Sequence, residues 1–142
     1  MNTPWTKEKE ITREWYIVDA KDQILGRVAT KIASLLIGKG KVKMVPNLDC
    51  GDYVIVINAA GIKLTRGKET KKMYYRHSGY PGGFRETRFD DLIKEHPTRP
   101  IELAVKRMLP QNKMKSRMMA RLFVYADSDH KQEAQKPKTV KL

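Results

Sequence analysis

The period of the apolar positions changes several times along the chain, and each change marks an element. Trp15-Tyr16-Ile17-Val18 is short, aromatic and β-branched, which predicts a strand ending at Asp19. Asp22 falls in a turn. From Leu25 the spacing becomes helical: Leu25, Val28, Ala29, Ile32 and Leu36 share one face, Arg27, Lys31 and Ser34 point away from it, and Gly38 stops the helix. Asp52 to Asn58 is an almost unbroken apolar run, the pattern of a strand covered on both faces. A strand, an amphipathic helix and a buried strand in that order form a βαβ unit, and so an α/β sheet with helices on its faces.

The second half is more broken. A polar connection over 61–70 leads to a strand over Lys71–Tyr75 and then to a loop rich in glycine. Thr87 with Asp90 three residues on resembles a capping box, and Phe89, Leu92 and Ile93 make the apolar face of a short helix ending before His96-Pro97. A second helix opens near Pro100, faces Ile101, Ala104, Val105 and Met108 inward, and stops at Pro110. Lys113 to Leu122 predicts a third. There Met114, Met118 and Leu122 form an apolar stripe beside a basic one of Lys113, Arg117 and Arg121. Leu122 to Tyr125 is the last predicted strand. The chain reads as a single domain over 1–142, with a loosely held segment over 1–14 and an extended basic tail over 127–142 that orders only against a partner.

Charge sharpens this picture. Apolar residues are 40% of the 142, charged residues are 32%, and the net charge is +13. Such a surface repels itself unless a polyanion covers it. Residues 1–70 carry a net +4 and residues 71–142 a net +9, and Leu103 to Ala126 contains no acidic residue. The asymmetry favours one basic face. No apolar run approaches the roughly 18 residues of a membrane helix, and residues 1–14 carry three glutamates and no apolar h-region. Together with a single cysteine, Cys50, these features give a cytoplasmic expectation.

Lys71 to Arg85 concentrates the binding chemistry. Cations and aromatics alternate through it, three glycines punctuate it, and it holds no carboxylate. Lys71, Lys72, Arg76 and Arg85 suit phosphate, His77 and Tyr80 suit stacking or sugar contacts, and Gly79, Gly82 and Gly83 allow close main-chain approach. Lys39, Lys41 and Lys43 in a basic loop, and Lys113, Lys115, Arg117 and Arg121 in the third helix, extend the candidate RNA-binding set. Structured RNA is the expected partner.

Catalytic signals are weak. Gly61 to Thr70 has five residues between its glycines and Glu69 after its lysine, so it departs from a P-loop in spacing and chemistry. The three histidines, His77, His96 and His130, lie on separate segments, and no second thiol accompanies Cys50, so no metal or other cofactor is expected. A Cys50–His77 nucleophile pair stays open, since such pairs meet in space, although a lone cysteine is more often a small buried hydrophobe. Asp49 and Asp52 fit a turn ahead of a strand better than an acid/base pair.

Five blocks in order carry a family resemblance. Trp15 to Ala20 followed by Leu25 to Thr30, Gly51 to Ala59, Tyr74 to Gly83, Ala104 to Pro110 and Leu122 to Ala126 together resemble the ribosomal protein L-thirteen family of the bacterial large subunit. Arg107 and Ser116 stand where that family more often has glycine. The resemblance implies a three-layer α/β/α fold with a four-stranded, mostly parallel sheet. It also implies a structural, non-enzymatic role: binding large-subunit ribosomal RNA, touching neighbouring ribosomal proteins, and entering early in assembly. Neither a small-molecule substrate nor a membrane is part of it. A free regulator of messenger RNA and an RNA-acting enzyme are the competing readings.

Overall fold

A computed structural model describes residues 5–140. In chain order the elements are β1 (Trp15–Asp19), α1 (Leu25–Ile37), β2 (Tyr53–Ile57), α2 (Lys68–Lys71), β3 (Met73–His77), β4 (Phe84–Arg88), α3 (Phe89–Glu95), α4 (Arg99–Met108), α5 (Lys115–Met119), β5 (Leu122–Val124) and β6 (Lys138–Thr139). Short 3-10 turns cover Glu8–Glu10, Ala59–Gly61 and Glu133–Gln135. The fold is α/β. Its main sheet has four strands in the order β5-β2-β1-β6, and every pairing in it is parallel.

The βαβ unit forms as its pattern predicts. Leu25, Val28, Ala29, Ile32, Ala33 and Leu36 of α1 are buried against Val18 of β1 and Val54 and Val56 of β2. Burying each of the larger side chains contributes about 1.5–3 kcal/mol. At the end of α1, Gly38 adopts φ 79, Gly38 N–H donates to Leu35 O at 3.1 Å, and Lys39 N–H donates to Ser34 O at 3.0 Å. This is the Schellman arrangement, which satisfies carbonyls that the last helical turn leaves open. A Cβ at Gly38 would stand 2.6 Å from Cys50 O. Packing as well as φ therefore requires glycine there.

Both faces of the sheet are covered. The β1→β2→β5 steps share a direction, and α1 and α4 pack together on the face of Val18, Val54 and Val56. The step from β5 back to β6 runs the other way, through residues 125–137, and the second face of the sheet carries Trp15, Tyr53 and Phe123. On that face Trp15 stacks on Tyr53 at 4.3 Å and on Phe123 at 5.7 Å. The returning segment is folded on itself: Tyr125 Oη donates to Gln132 Oε1 at 2.8 Å.

Several expectations change. The sheet's fourth strand is β6, from the tail, and not the strand after residue 70. β3 instead pairs antiparallel with β4 in a separate ribbon. A parallel central strand is covered on both faces, which Arg76 and His77 could not tolerate, whereas a two-residue edge strand accepts Lys138 readily. The tail is thus docked, with Lys138 Nζ 2.8 Å from Glu14 Oε1. Residues 5–14 are held too: Lys41 Nζ donates to Thr12 O at 2.7 Å, and Glu14 N–H donates to Asp52 Oδ1 at 2.9 Å. Residues 1–4 of the expected loose segment and 141–142 of the expected tail lie outside the described residues.

Thr87 is not a cap. It sits in β4 opposite Tyr74, and α3 starts after Arg88 without a side-chain cap. The third helix is only Lys115–Met119, because the chain must extend by Leu122 to pair with β2. Met108 is 44% exposed, and Leu109 takes the inward place.

Candidate nucleic-acid interface

The ribbon of β3 and β4 owes its shape to its turn. Tyr80-Pro81-Gly82-Gly83 closes with Gly83 N–H donating to Tyr80 O at 2.9 Å, and Gly82 has φ 70. Proline before a positive-φ glycine is the type II pattern. Gly79, at φ 89, donates its N–H to His77 Nδ1 at 2.9 Å. Among the described residues nothing lies within 4 Å of a Cβ at Gly79 or Gly82, so both leave main chain open to a partner. Gly83 differs: a Cβ there would collide with Ser78 Oγ, so it is a packing glycine and not an open approach.

Alternation along the ribbon sorts its side chains onto two faces. Tyr75, His77 and Phe84 lie on the outer face, where Tyr75 and Phe84 stack at 5.7 Å while 61% and 56% exposed. Tyr80, at the turn, is 76% exposed. On the inner face Arg76 stands directly opposite Arg85. Like charges at that register repel unless an anion lies between them. The inner face looks across a cleft of about 630 Å³ at α3 and α4, whose Arg99 and Arg107 also line it. Tyr74 lines the cleft as well. Burial pushes its phenol up, with the Arg107 charge opposing. Lys72 Nζ sits 5.1 Å from the Tyr74 ring centre.

Comparison with known sequences decides the family. Residues 13–131 match the family described as Ribosomal protein L13. The chain belongs to that family. It is 49% identical to a large ribosomal subunit protein uL13 of Chloroflexus aggregans, over 97% of this chain and 96% of that protein. It is 47% identical to the one of Cupriavidus taiwanensis over the whole of both chains. Identity to the Thermotoga petrophila protein is 49%, over 99% of this chain and 94% of that one.

In this L13 chain the remaining basic candidates divide by what they already hold. Lys39, Lys71, Lys113 and Arg117 are exposed, and Lys115 Nζ reaches Gln111 Oε1 at 2.7 Å. Lys43 meets Glu10 at 3.4 Å on the surface, a pairing easily exchanged. Lys41 is a correction. Its ammonium donates to Thr12 O, Cys50 O at 2.9 Å and Asp52 Oδ1 at 2.5 Å, so all three of its donors are engaged inside the protein.

Arg121 is the second correction. It is 6% exposed, paired with Asp49, and its Nη2 donates to Leu36 O at 3.2 Å. The helix ends before it, so the basic stripe stops at Arg117 and Arg121 turns inward. A cation at the C-terminus of α1 complements the helix dipole. Asp49 and Asp52 thus serve as counter-ions to Arg121 and Lys41. Cys50 is buried, with Sγ 3.9 Å from Lys43 O, while His77 ends β3 in the exposed ribbon. Among the described residues, no three His, Cys, Asp or Glu gather as metal ligands.

Sequence reasoning missed Tyr75, Phe84, Arg99 and Arg107 as site residues. Tyr75 and Phe84 were within the stretch singled out, but their meeting depends on the antiparallel register. Arg99, Leu103 and Arg107 recur every four residues, a helical stripe that the charge pattern already contained.

Proposed function

We propose that this chain is a structural constituent of the large ribosomal subunit in the cytoplasm, not an enzyme. It binds ribosomal RNA early in assembly and bridges RNA segments and neighbouring ribosomal proteins. The family and the large-subunit names of its relatives support the first part. One observation carries the RNA reading: a ribbon outside the main sheet exposes a stacked Tyr75–Phe84 pair on one face and opposes Arg76 to Arg85 on the other. Aromatic platforms beside unpaired cations suit bases and phosphates together. Lys71, Lys72, His77, Tyr80 and the open glycines Gly79 and Gly82 continue that surface. Lys39, Lys43, Lys113, Lys115 and Arg117 supply flanking phosphate contacts, so that RNA segments distant in sequence are held by one rigid body.

The test replaces both aromatics by alanine, Tyr75→Ala with Phe84→Ala, and measures occupancy in purified large subunits. Both side chains are more than half exposed, so the free protein keeps its melting temperature. Occupancy after a moderate-salt wash should fall severalfold, because base–aromatic stacking is worth about 1–3 kcal/mol per base. Wild-type occupancy at every salt concentration would overturn the reading.

A further inference from the structure

The two edges of the main sheet are finished differently. β6 forms one edge with two exposed residues, Lys138 and Thr139, directly after Pro137. Lysine and proline at an edge discourage a further strand from adding there. β5 forms the other edge with Leu122, Phe123 and Val124, which are partly buried and include neither charge nor proline. The register fixes which backbone groups of β5 point outward. Val54 N–H donates to Arg121 O at 3.0 Å, and Tyr125 N–H donates to Val56 O at 2.8 Å. Arg121, Phe123 and Tyr125 therefore turn their backbone to β2. Leu122 lies opposite Val54 and Val124 opposite Val56, so the N–H and C=O groups of Leu122 and Val124 turn away from the sheet. Among the described residues none of these four groups has a hydrogen-bond partner. An apolar edge with an open row of donors and acceptors is a template for another strand.

We propose that the β5 edge takes a strand from an extended segment of a neighbouring large-subunit protein, which joins the sheet beside Leu122 and Val124. The proposal deepens the reading of this chain as a large-subunit constituent and rests on it. Donors and acceptors alternate along the edge, and a peptide strand offers the complement of both. Phosphate oxygens only accept, and would leave both carbonyls unmet. Charge points the same way. The chain enters β5 past Lys113 and Arg117 and leaves it past Asp127 and Asp129, all four exposed. A polyanion suits only the first end. A peptide with a carboxylate at one end and a cation at the other suits both. Apolar residues alternating between them continue the core face of Leu122 and Val124 and the aromatic face of Phe123. A second copy of this chain is disfavoured, because two molecules of net charge +13 repel each other.

The experiment follows amide hydrogen exchange at single residues of the full chain. It compares the free protein, its complex with deproteinised large-subunit ribosomal RNA, and purified large subunits. In the free protein the Phe123 and Tyr125 amides should be protected by β2, while those of Leu122 and Val124 exchange freely. In the subunit the Leu122 and Val124 amides should slow by about tenfold or more, and in the RNA complex they should stay fast. A second arm compares Val124→Pro with Val124→Ala. Both lose the same side-chain packing, but only proline removes the outward donor, and neither removes a bond to β2. Occupancy in washed subunits should fall severalfold further for proline than for alanine. Free exchange of Leu122 and Val124 in subunits that contain the chain overturns the edge proposal and leaves the large-subunit reading standing. Protection already complete with RNA alone shows that RNA covers the edge, and protection that grows with the concentration of free protein shows a second copy. Either result overturns the proposal. Absence of the chain from purified subunits overturns both readings.

Discussion

Arg121 and Asp49 lie 72 residues apart in the chain and form a buried two-pronged ion pair, Nη1 to Oδ2 and Nη2 to Oδ1. The same guanidinium donates to Leu36 O at the end of α1, and Arg13 Nη2 approaches Asp49 O at 3.2 Å. One cation therefore ties the end of α1, the segment before β2 and the start of β5 together.

Breaking that pair leaves a charge buried without compensation, which costs about 3–5 kcal/mol. Asp49→Asn and Arg121→Met should each lower the melting temperature, by roughly 6–20 °C at about 2–4 °C per kcal/mol. Arg117→Glu, on the exposed side of α5, should leave it within a few degrees. Calorimetry of the three variants checks this. Equal melting temperatures for Arg121→Met and wild type would show that the pair is not structural.

Gly51 packs its main chain against the end of α1. A Cβ there would collide with Leu36 O and with Arg121 Nη2, the two groups that the pair above brings together. Backbone cannot yield as a flexible side chain does, so Gly51→Ala should destabilise the chain by about 1–3 kcal/mol. Gly40→Ala, in open space, is the control. Urea unfolding of both variants measures the difference. An unchanged midpoint for Gly51→Ala would refute the contact.

Alkaline pH should loosen the docked tail. Tyr16 Oη donates to Glu14 Oε2 at 2.7 Å, and this bond together with burial pushes the phenol up to about 12 from its usual 10. Lys138, whose strand pairs with β1, donates to the same carboxylate. A folded-state value above the unfolded one means stability that is complete below pH 10 and lost as pH climbs through 12. The Glu14 carboxyl is shifted the other way, below its usual range, first by the Lys138 hydrogen bond and then by Tyr16. Its contribution is present above the usual carboxylate value and fades as pH falls through the lowered one. Unfolding midpoints across pH 9–12 should drop for wild type and drop less for Tyr16→Phe. Parallel curves for the two proteins would remove Tyr16 from the account.

The βαβ unit was legible because its elements are long enough for burial to leave a period: five of the six core positions in α1, all but Ala33, were read at helical spacing, and β2 is an almost unbroken apolar run. Gly38 was legible as a stop because a left-handed cap favours one residue type. The concentration of cations and aromatics between Lys71 and Arg85 was equally plain, since composition alone carries it. Which lysines and arginines stay on the surface was not. Lys39 and Lys41 are two residues apart, as Arg117 and Arg121 are four apart, and each pair reads alike in sequence. Only the fold brings Asp52 to Lys41 and Asp49 to Arg121, and so turns one cation of each pair inward. The tail strand was hidden for a related reason. Lys138 and Thr139 join the sheet through backbone hydrogen bonds, which any residue but proline supplies, so their side chains bear no mark of the pairing. The linear order determined the α/β core and the cationic character. The three-dimensional packing alone decided which charges remain free for a partner, because a buried charge must find its counter-ion wherever the chain happens to place one.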